Sequence, residues 1–231
     1  MFCGFFEFDK EKRIAMKRIL TRMYAYISGL WYRMRLKNED FSIITNSCIG
    51  GVMYHKLKKR FLSPTINLWM YDKDFLRFVA HLKEYVDKEL VFVDGSEKTP
   101  VAWLGDVKIH FNHARTKEEA ARDWEKRKGR INYDNLFIIM SDRPGSDNLT
   151  EDVDLSDEDI KGLEAIPCKG KVVFSVRKIS NVDYIVPLRR DEEGDYVNMY
   201  MNDKVRCLGR WRWEGAWDWV YWLNTGKVKR P

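Results

Sequence analysis

Residues 41 to 51, Phe-Ser-Ile-Ile-Thr-Asn-Ser-Cys-Ile-Gly-Gly, constrain the fold more than any other stretch of the chain. Apolar and β-branched residues give way to small polar ones and a glycine pair, and helical patterning begins at Val52-Met53-Tyr54-His55. This reads as a buried strand, a tight turn and a helix, the opening of an α/β unit. It also puts Cys48 at or near a helix N-terminus, where unpaired backbone N–H groups and the positive end of the helix dipole favour an anion or a thiolate.

Farther along, short apolar runs alternate with longer mixed ones, the pattern of strands separated by helices. Strands are expected near 42–46, 65–70, 106–111, 135–140 and 171–175, and helices near 50–61, 73–88, 116–129 and 157–165. Ser63-Pro64 closes one helix, and Thr116 with Glu119 makes a capping box for another. At 231 residues and 45% hydrophobic, the chain can bury a sizeable single core. The expected architecture is a three-layer α/β domain over 39–231, with a mostly parallel sheet and helices on both faces. A basic amphipathic helix over 1–38 precedes it, and an irregular Trp-rich section closes it.

Beyond residue 176 the patterning loosens, with a turn at Asp191-Glu192-Glu193-Gly194. Trp211, Trp213, Trp217, Trp219 and Trp222 follow in a short span. They either stack on sugar rings or, more commonly for indoles so close together, make a packed corner. The polar stretch 141–159 has the composition of a lid or of a solvated loop.

Cys3, Cys48, Cys168 and Cys207 lie far apart with no paired spacing, which excludes a zinc knuckle or a dense disulfide framework and fits a reducing, cytoplasmic setting. No signal-peptide pattern opens the chain, and no run reaches the roughly 18 apolar residues a spanning helix needs.

The net charge of +6 is local: residues 9–37 hold nine Lys or Arg against two acids, whereas residues 38–231 sum to zero. Ile14, Met16, Ile19, Leu20, Met23, Ile27, Leu30, Trp31 and Met34 give this segment a broad apolar helical face among its basic residues. Such a helix can lie in an anionic membrane surface, where each basic residue contributes about 1 kcal/mol, or pack on the domain or in an oligomer contact. Nucleic acid is the poorer partner, because no base-reading motif accompanies the basic helix.

If the strands are parallel, ligands bind beyond their carboxyl ends. Asn46-Ser47-Cys48, Asn112-His113 and Ser141-Asp142-Arg143 all fall there. A Cys48 thiolate needs a base, which His113 or His110 supplies, with Asp142 orienting the imidazole. The bland counterpart is a small buried cysteine and a core histidine. Arg127 and Arg130, at the end of the helix before Asn132, either clamp a phosphate or carboxylate or complement the helix C-terminus. Arg143 is better placed for substrate. Asp72-x-Asp74 has the spacing that holds a divalent metal and diphosphate in many sugar-nucleotide transferases, but it equally starts a helix. No set of His, Cys and acid spacings makes a metal signature, and no cofactor is expected.

Phe41 to His55, Ser63-Pro64-Thr65, Ile109-His110-Phe111 with His113, Trp124 to Asn132, Asp134-Asn135-Leu136-Phe137, Asp142-Arg143 and Asp218 to Asn224 together resemble Domain of Unknown Function 1919. Bacterial members of that family are often labelled exopolysaccharide biosynthesis proteins. The resemblance spans roughly 40–225 and keeps the Asn46-x-Cys48-x-Gly50-Gly51 turn and the His-containing strand, but not the Asp72-x-Asp74 pair. The basic helix looks like an addition. The resemblance implies a transferase in surface-glycan assembly, moving a sugar or substituent from an activated sugar or acyl donor to a glycan acceptor, and the added basic helix suits work on a lipid-linked glycan at the inner leaflet. In that reading Arg143 and the Gly50-Gly51 helix start hold donor phosphate, Asn46 and Asn132 add substrate contacts, and His113 or Asp142 is the base. The alternatives are Cys48-dependent acyl transfer or hydrolysis, and a non-catalytic membrane-associated glycan-binding or scaffold protein. Donor, acceptor and oligomeric state are not encoded in any motif.

Overall fold

In the computed structural model, residues 7–94, 98–142, 155–175, 177, 179–187 and 212–230 are described. In chain order the elements are α1 (Glu7–Arg35), β1 (Ser42–Thr45), α2 (Ile49–Leu57), α3 (Asp72–Ala80), α4 (Leu82–Asp87), β2 (Leu90–Phe92), β3 (Val101–Leu104), β4 (Val107–His110), α5 (Lys117–Lys128), β5 (Leu136–Ser141), α6 (Asp157–Lys161), β6 (Gly170–Ser175), β7 (Ile185–Pro187) and α7 (Trp219–Thr225). Strands β1, β5, β6 and β7 lie side by side in that order, all parallel. A second, antiparallel sheet has the order β2-β3-β4.

The period-two rule explains why the parallel strands are apolar throughout. Along β5, Leu136, Ile138 and Met140 turn to one face while Phe137 and Ile139 turn to the other, and β1, β6 and β7 split in the same way. The first face packs against α3, α4, α5, α6 and the antiparallel sheet through Phe75, Phe78, Leu82, Trp124 and Ile160. The second packs against α1, α2 and α7 through Tyr32, Met53, Tyr54, Trp222 and Leu223. The fold is thus the expected layered α/β arrangement with helices on both faces of a parallel sheet.

Three departures have physical causes. Residues 65–70 do not form a strand; β1 is an edge, and side-chain hydroxyls cover it instead. Ile43 N–H donates to Tyr54 Oη (3.2 Å) and Thr45 N–H to Thr65 Oγ1 (3.0 Å), so the outward N–H groups of β1 are satisfied without a neighbouring strand. Second, β4 belongs to the antiparallel sheet, where it pairs with β3 and, at an isolated bridge, His110 pairs with Trp69. Third, the helix expected over 73–88 breaks at His81 into α3 and α4, and the one expected over 50–61 ends where Lys58 takes a left-handed φ of 52°.

The tryptophans form a packed corner. Trp213, Trp217, Trp219 and Trp222 are all buried against β5, β6 and α2, with Trp222 edge-on to Phe137 at 4.7 Å between ring centroids. Sugar stacking is therefore closed to these four, while Trp211 lies outside the described residues. Gly226 ends α7 at φ 77°, and a Cβ there would meet Lys169 O at 1.9 Å, so only glycine lets this corner close over β6. The turn expected at 191–194 and most of the polar stretch 141–159 also fall outside the described residues.

The last turns of α1 are tied into the domain. Arg33 Nη1 donates to Lys56 O (3.1 Å), the Tyr32 hydroxyl donates to Glu214 (3.2 Å), and Arg35 pairs with Asp218. Among the described residues no helix is long and apolar enough to cross a membrane.

Candidate functional site

The turn after β1 is built by short side chains. Ser47 N–H donates to Thr45 Oγ1 (3.2 Å), and Thr65 Oγ1 lies 3.0 Å from Ser63 Oγ, so four buried hydroxyls set the path of the backbone into α2. Asn46 is fully buried and closes a pair with Ser141, accepting its N–H (2.8 Å) and donating to its carbonyl (3.0 Å). Its amide also donates to Asp72 Oδ1 (2.9 Å). Asn46 is thus a clamp across the carboxyl ends of β1 and β5, holding the start of α3 against them, and no longer a free substrate contact.

Gly50 and Gly51 serve close packing. A Cβ on Gly50 would meet Thr45 and Ile43 at 3.0 and 3.1 Å, and one on Gly51 would meet Asn67 Oδ1 at 2.7 Å. Their lack of a side chain lets the first turn of α2 press against β1 and the 65–67 segment. The first helical bond is Val52 N–H to Cys48 O, so the N–H groups of Ile49, Gly50 and Gly51 stand outside the helical ladder. Cys48 is the N-cap residue, and its side chain caps nothing.

That side chain faces histidine. Cys48 Sγ lies 3.6 Å from His113 Nε2, at an exposed position. The two residues are 65 positions apart and lie just beyond strands of different sheets, β1 and β4. They meet because Thr65 is bonded to β1 while Trp69 and His110 exchange backbone hydrogen bonds (2.9 and 3.0 Å), which docks the end of β4 beside the end of β1. His113 also borders a cleft lined by Pro64, Asn67, Asp123 and Arg127, of about 40 Å³. That volume holds a water or two and no sugar ring. A molecule larger than that has no enclosed space beside His113, and only the open surface next to Cys48 and His113 offers room for one.

The remaining expected site residues are placed elsewhere. His110 is a core histidine, buried and stacked on Trp69 at 3.9 Å with Tyr71 edge-on at 5.5 Å. Asp142 does not orient His113. Its buried carboxylate takes a two-pronged contact from Arg177 (Nε 2.9 Å, Nη2 3.0 Å) and the Ser175 hydroxyl at 2.5 Å. Arg127 pairs with Asp123 and donates to Ile66 O (3.2 Å), and Arg130 donates to Phe61 O (3.2 Å); both bind protein rather than clamp an anion. Asn132 caps the 3-10 turn at 133–135 and donates to Asp40 O (2.9 Å), so it is a connector. Arg143 lies outside the described residues. Asp72 and Asp74 diverge: Asp72 bonds Asn46, while Asp74 accepts from Lys108 N–H (3.0 Å) and from Arg77 (3.1 Å). Burial raises the Asp74 carboxyl above its ordinary range, opposed by the Lys108 N–H and Arg77. No group of three metal-ligating side chains occurs among the described residues.

Sequence reasoning missed Ser175 and Arg177, which complete the carboxyl edge of the sheet. The signal was present in the run Phe174-Ser175-Val176-Arg177, a small polar residue ending an apolar strand as at Thr45 and Ser141, but pairing with Asp142 is set by strand order alone.

Over residues 19–224 the chain matches a family described as Domain of unknown function (DUF1919). It is also 35% identical over 167 residues to a Haemophilus influenzae protein named only "Uncharacterized protein", an alignment covering 72% of this chain and 71% of that relative. The match begins at Ile19, inside α1, so the second half of the basic helix lies within the family region and is not an appendage to it. With nearly the whole described fold inside the matched span, the chain belongs to the family described as Domain of unknown function (DUF1919).

Proposed function

We propose that this protein is a transferase that carries an acyl substituent on Cys48, with His113 as its base, and delivers it to a glycan hydroxyl. The observation that carries this reading is the 3.6 Å approach of Sγ to Nε2 at an open surface beside the α2 N-terminus. In the first half-reaction His113 Nε2 takes the thiol proton, Sγ attacks the donor carbonyl, and the leaving group departs with the proton from the imidazolium. In the second, His113 takes the proton of the acceptor hydroxyl, whose oxygen displaces Sγ from the thioester. Negative charge on Sγ or on the carbonyl oxygen falls at the positive end of α2, where the N–H groups of Gly50 and Gly51 have no helical partner.

The glycan acceptor is what the family resemblance implies, and the basic amphipathic helix suits a setting at the inner leaflet of the plasma membrane. Direct glycosyl transfer from a sugar nucleotide has less support, since Asp72 and Asp74 are separately engaged and the cleft beside His113 is small.

Alkylation by iodoacetamide, followed by peptide mass mapping, tests the dyad. Cys48 is expected to react faster than Cys168, whose thiol burial pushes up, and His113→Ala is expected to slow Cys48 about tenfold near neutral pH. A thioester acyl donor should leave its acyl mass on the Cys48 peptide, and Cys48→Ala should remove it. Equal alkylation rates with and without His113, together with no adduct from any donor, would leave the non-catalytic glycan-binding reading in its place.

A further inference from the structure

We infer that the outer face of α1 is a docking surface for an anionic phospholipid bilayer. This deepens the membrane setting proposed above and is independent of the chemistry at Cys48. Of the fourteen large apolar side chains that are exposed among the described residues, ten lie on α1. Helical periodicity gathers Ile19, Met23, Tyr26, Ile27, Leu30 and Trp31 on one arc, where each is 42–64% exposed. Gly29 and Tyr32 lie on the opposite face and are buried, with Tyr32 against Trp219 at 4.5 Å between ring centroids. The helix is therefore two-faced: it docks on the domain through one side and presents an unbroken apolar arc about 18 Å long on the other.

Charge decides what covers that arc. Arg18 and Arg22 are exposed on one flank, and on the other the Arg35 guanidinium lies over the Trp31 ring at 4.1 Å. From Lys12 to Asn38 the sequence contains no Asp or Glu. A second copy laid along the arc would bring basic Arg18 and Arg22 against another basic helix with no acid between Lys12 and Asn38 to answer them, Arg35 being already paired with Asp218. A surface of anionic headgroups answers Arg18 and Arg22, while Trp31 and Tyr26 suit the boundary between headgroups and acyl chains.

The test is sedimentation of the full-length protein with vesicles of equal parts phosphatidylglycerol and phosphatidylcholine, against vesicles of phosphatidylcholine alone. Binding is expected to the anionic vesicles only and to weaken with added salt. The double variant Met23→Ser, Ile27→Ser and the charge-reversed Arg18→Glu, Arg22→Glu should each lower the bound-to-free ratio about tenfold or more, with thermal melts unchanged. Cys48 alkylation should be the same in both variants, which separates failure here from failure of the catalytic reading. Binding that ignores lipid charge and both variants would overturn the inference. So would a dimer by light scattering that Met23→Ser, Ile27→Ser reduces to monomer, since a second copy would then own the arc.

Discussion

A histidine 3.6 Å from a thiol gains chemical meaning from what does not compete for it. Among the described residues His113 Nδ1 is held by no carboxylate, so the site is a dyad, and the acid once expected to complete a triad has another task. Asp142 is buried with its charge met by Arg177. Removing one member of such a pair strands the other, and Arg177→Ala is expected to cost about 3 kcal/mol of stability by urea unfolding. Arg177→Lys should recover only part of that loss, because an ammonium cannot make the two-pronged contact. Neither change should alter the alkylation rate of Cys48 in the folded protein. A loss of Cys48 reactivity without loss of stability would couple Asp142 to the proposed Cys48–His113 pair.

Elements begin and end where side chains satisfy their terminal groups. At α6, Ser156 Oγ accepts Asp159 N–H (3.1 Å), and the Asp159 carboxylate accepts Ser156 N–H and the Ser156 hydroxyl (2.8 Å each). The Ser156 N–H, then its hydroxyl, hold the Asp159 carboxyl below its ordinary range. A depressed carboxyl contributes stability that is present above its unfolded pKa and is lost as pH falls through the folded one. Ser156→Ala should therefore cost about 1 kcal/mol near neutral pH and less in acid, where Asp159 is protonated, as read by urea unfolding at both pH values. A penalty that does not change with pH would show that the carboxylate is not engaged. The same local logic made Thr116 visible as a helix start in advance, and the observed bond from Glu119 N–H to Thr116 Oγ1 (3.2 Å) follows it.

At the scale of the whole molecule, the helical layer of α1, α2 and α7 is pinned by a charge inside it. Glu214 is buried, paired with Lys56 of α2 at 3.0 Å and accepting the Tyr32 hydroxyl of α1. Glu214→Ala should destabilise the protein by about 3 to 5 kcal/mol in denaturant unfolding, by stranding the Lys56 ammonium in a mostly buried place. Glu214→Gln should be milder, since the amide still accepts from Tyr32. If Glu214→Ala were silent, the union of α1 with the domain would rest on apolar packing and on the contacts of Arg33 with the Lys56 carbonyl and of Arg35 with Asp218. That union matters for function, because α1 carries the proposed membrane face on the side away from the one it docks with.

What depends on neighbours in the chain is legible in the residues alone: the apolar period of β1, β5 and β6, a helix opening just after Cys48, the Thr116 cap of α5, and the basic amphipathic character of α1. It also named Cys48 and His113, because each ends an apolar run with a reactive side chain. Tertiary structure alone decided the pairings. That β4 joins a separate antiparallel sheet, that hydroxyls stand in for a strand at the edge of β1, and that Asp142 turns to Arg177 instead of His113 all depend on strand order and distant packing. Periodicity records which face a residue shows, and carries no information about which distant residue will be there to meet it.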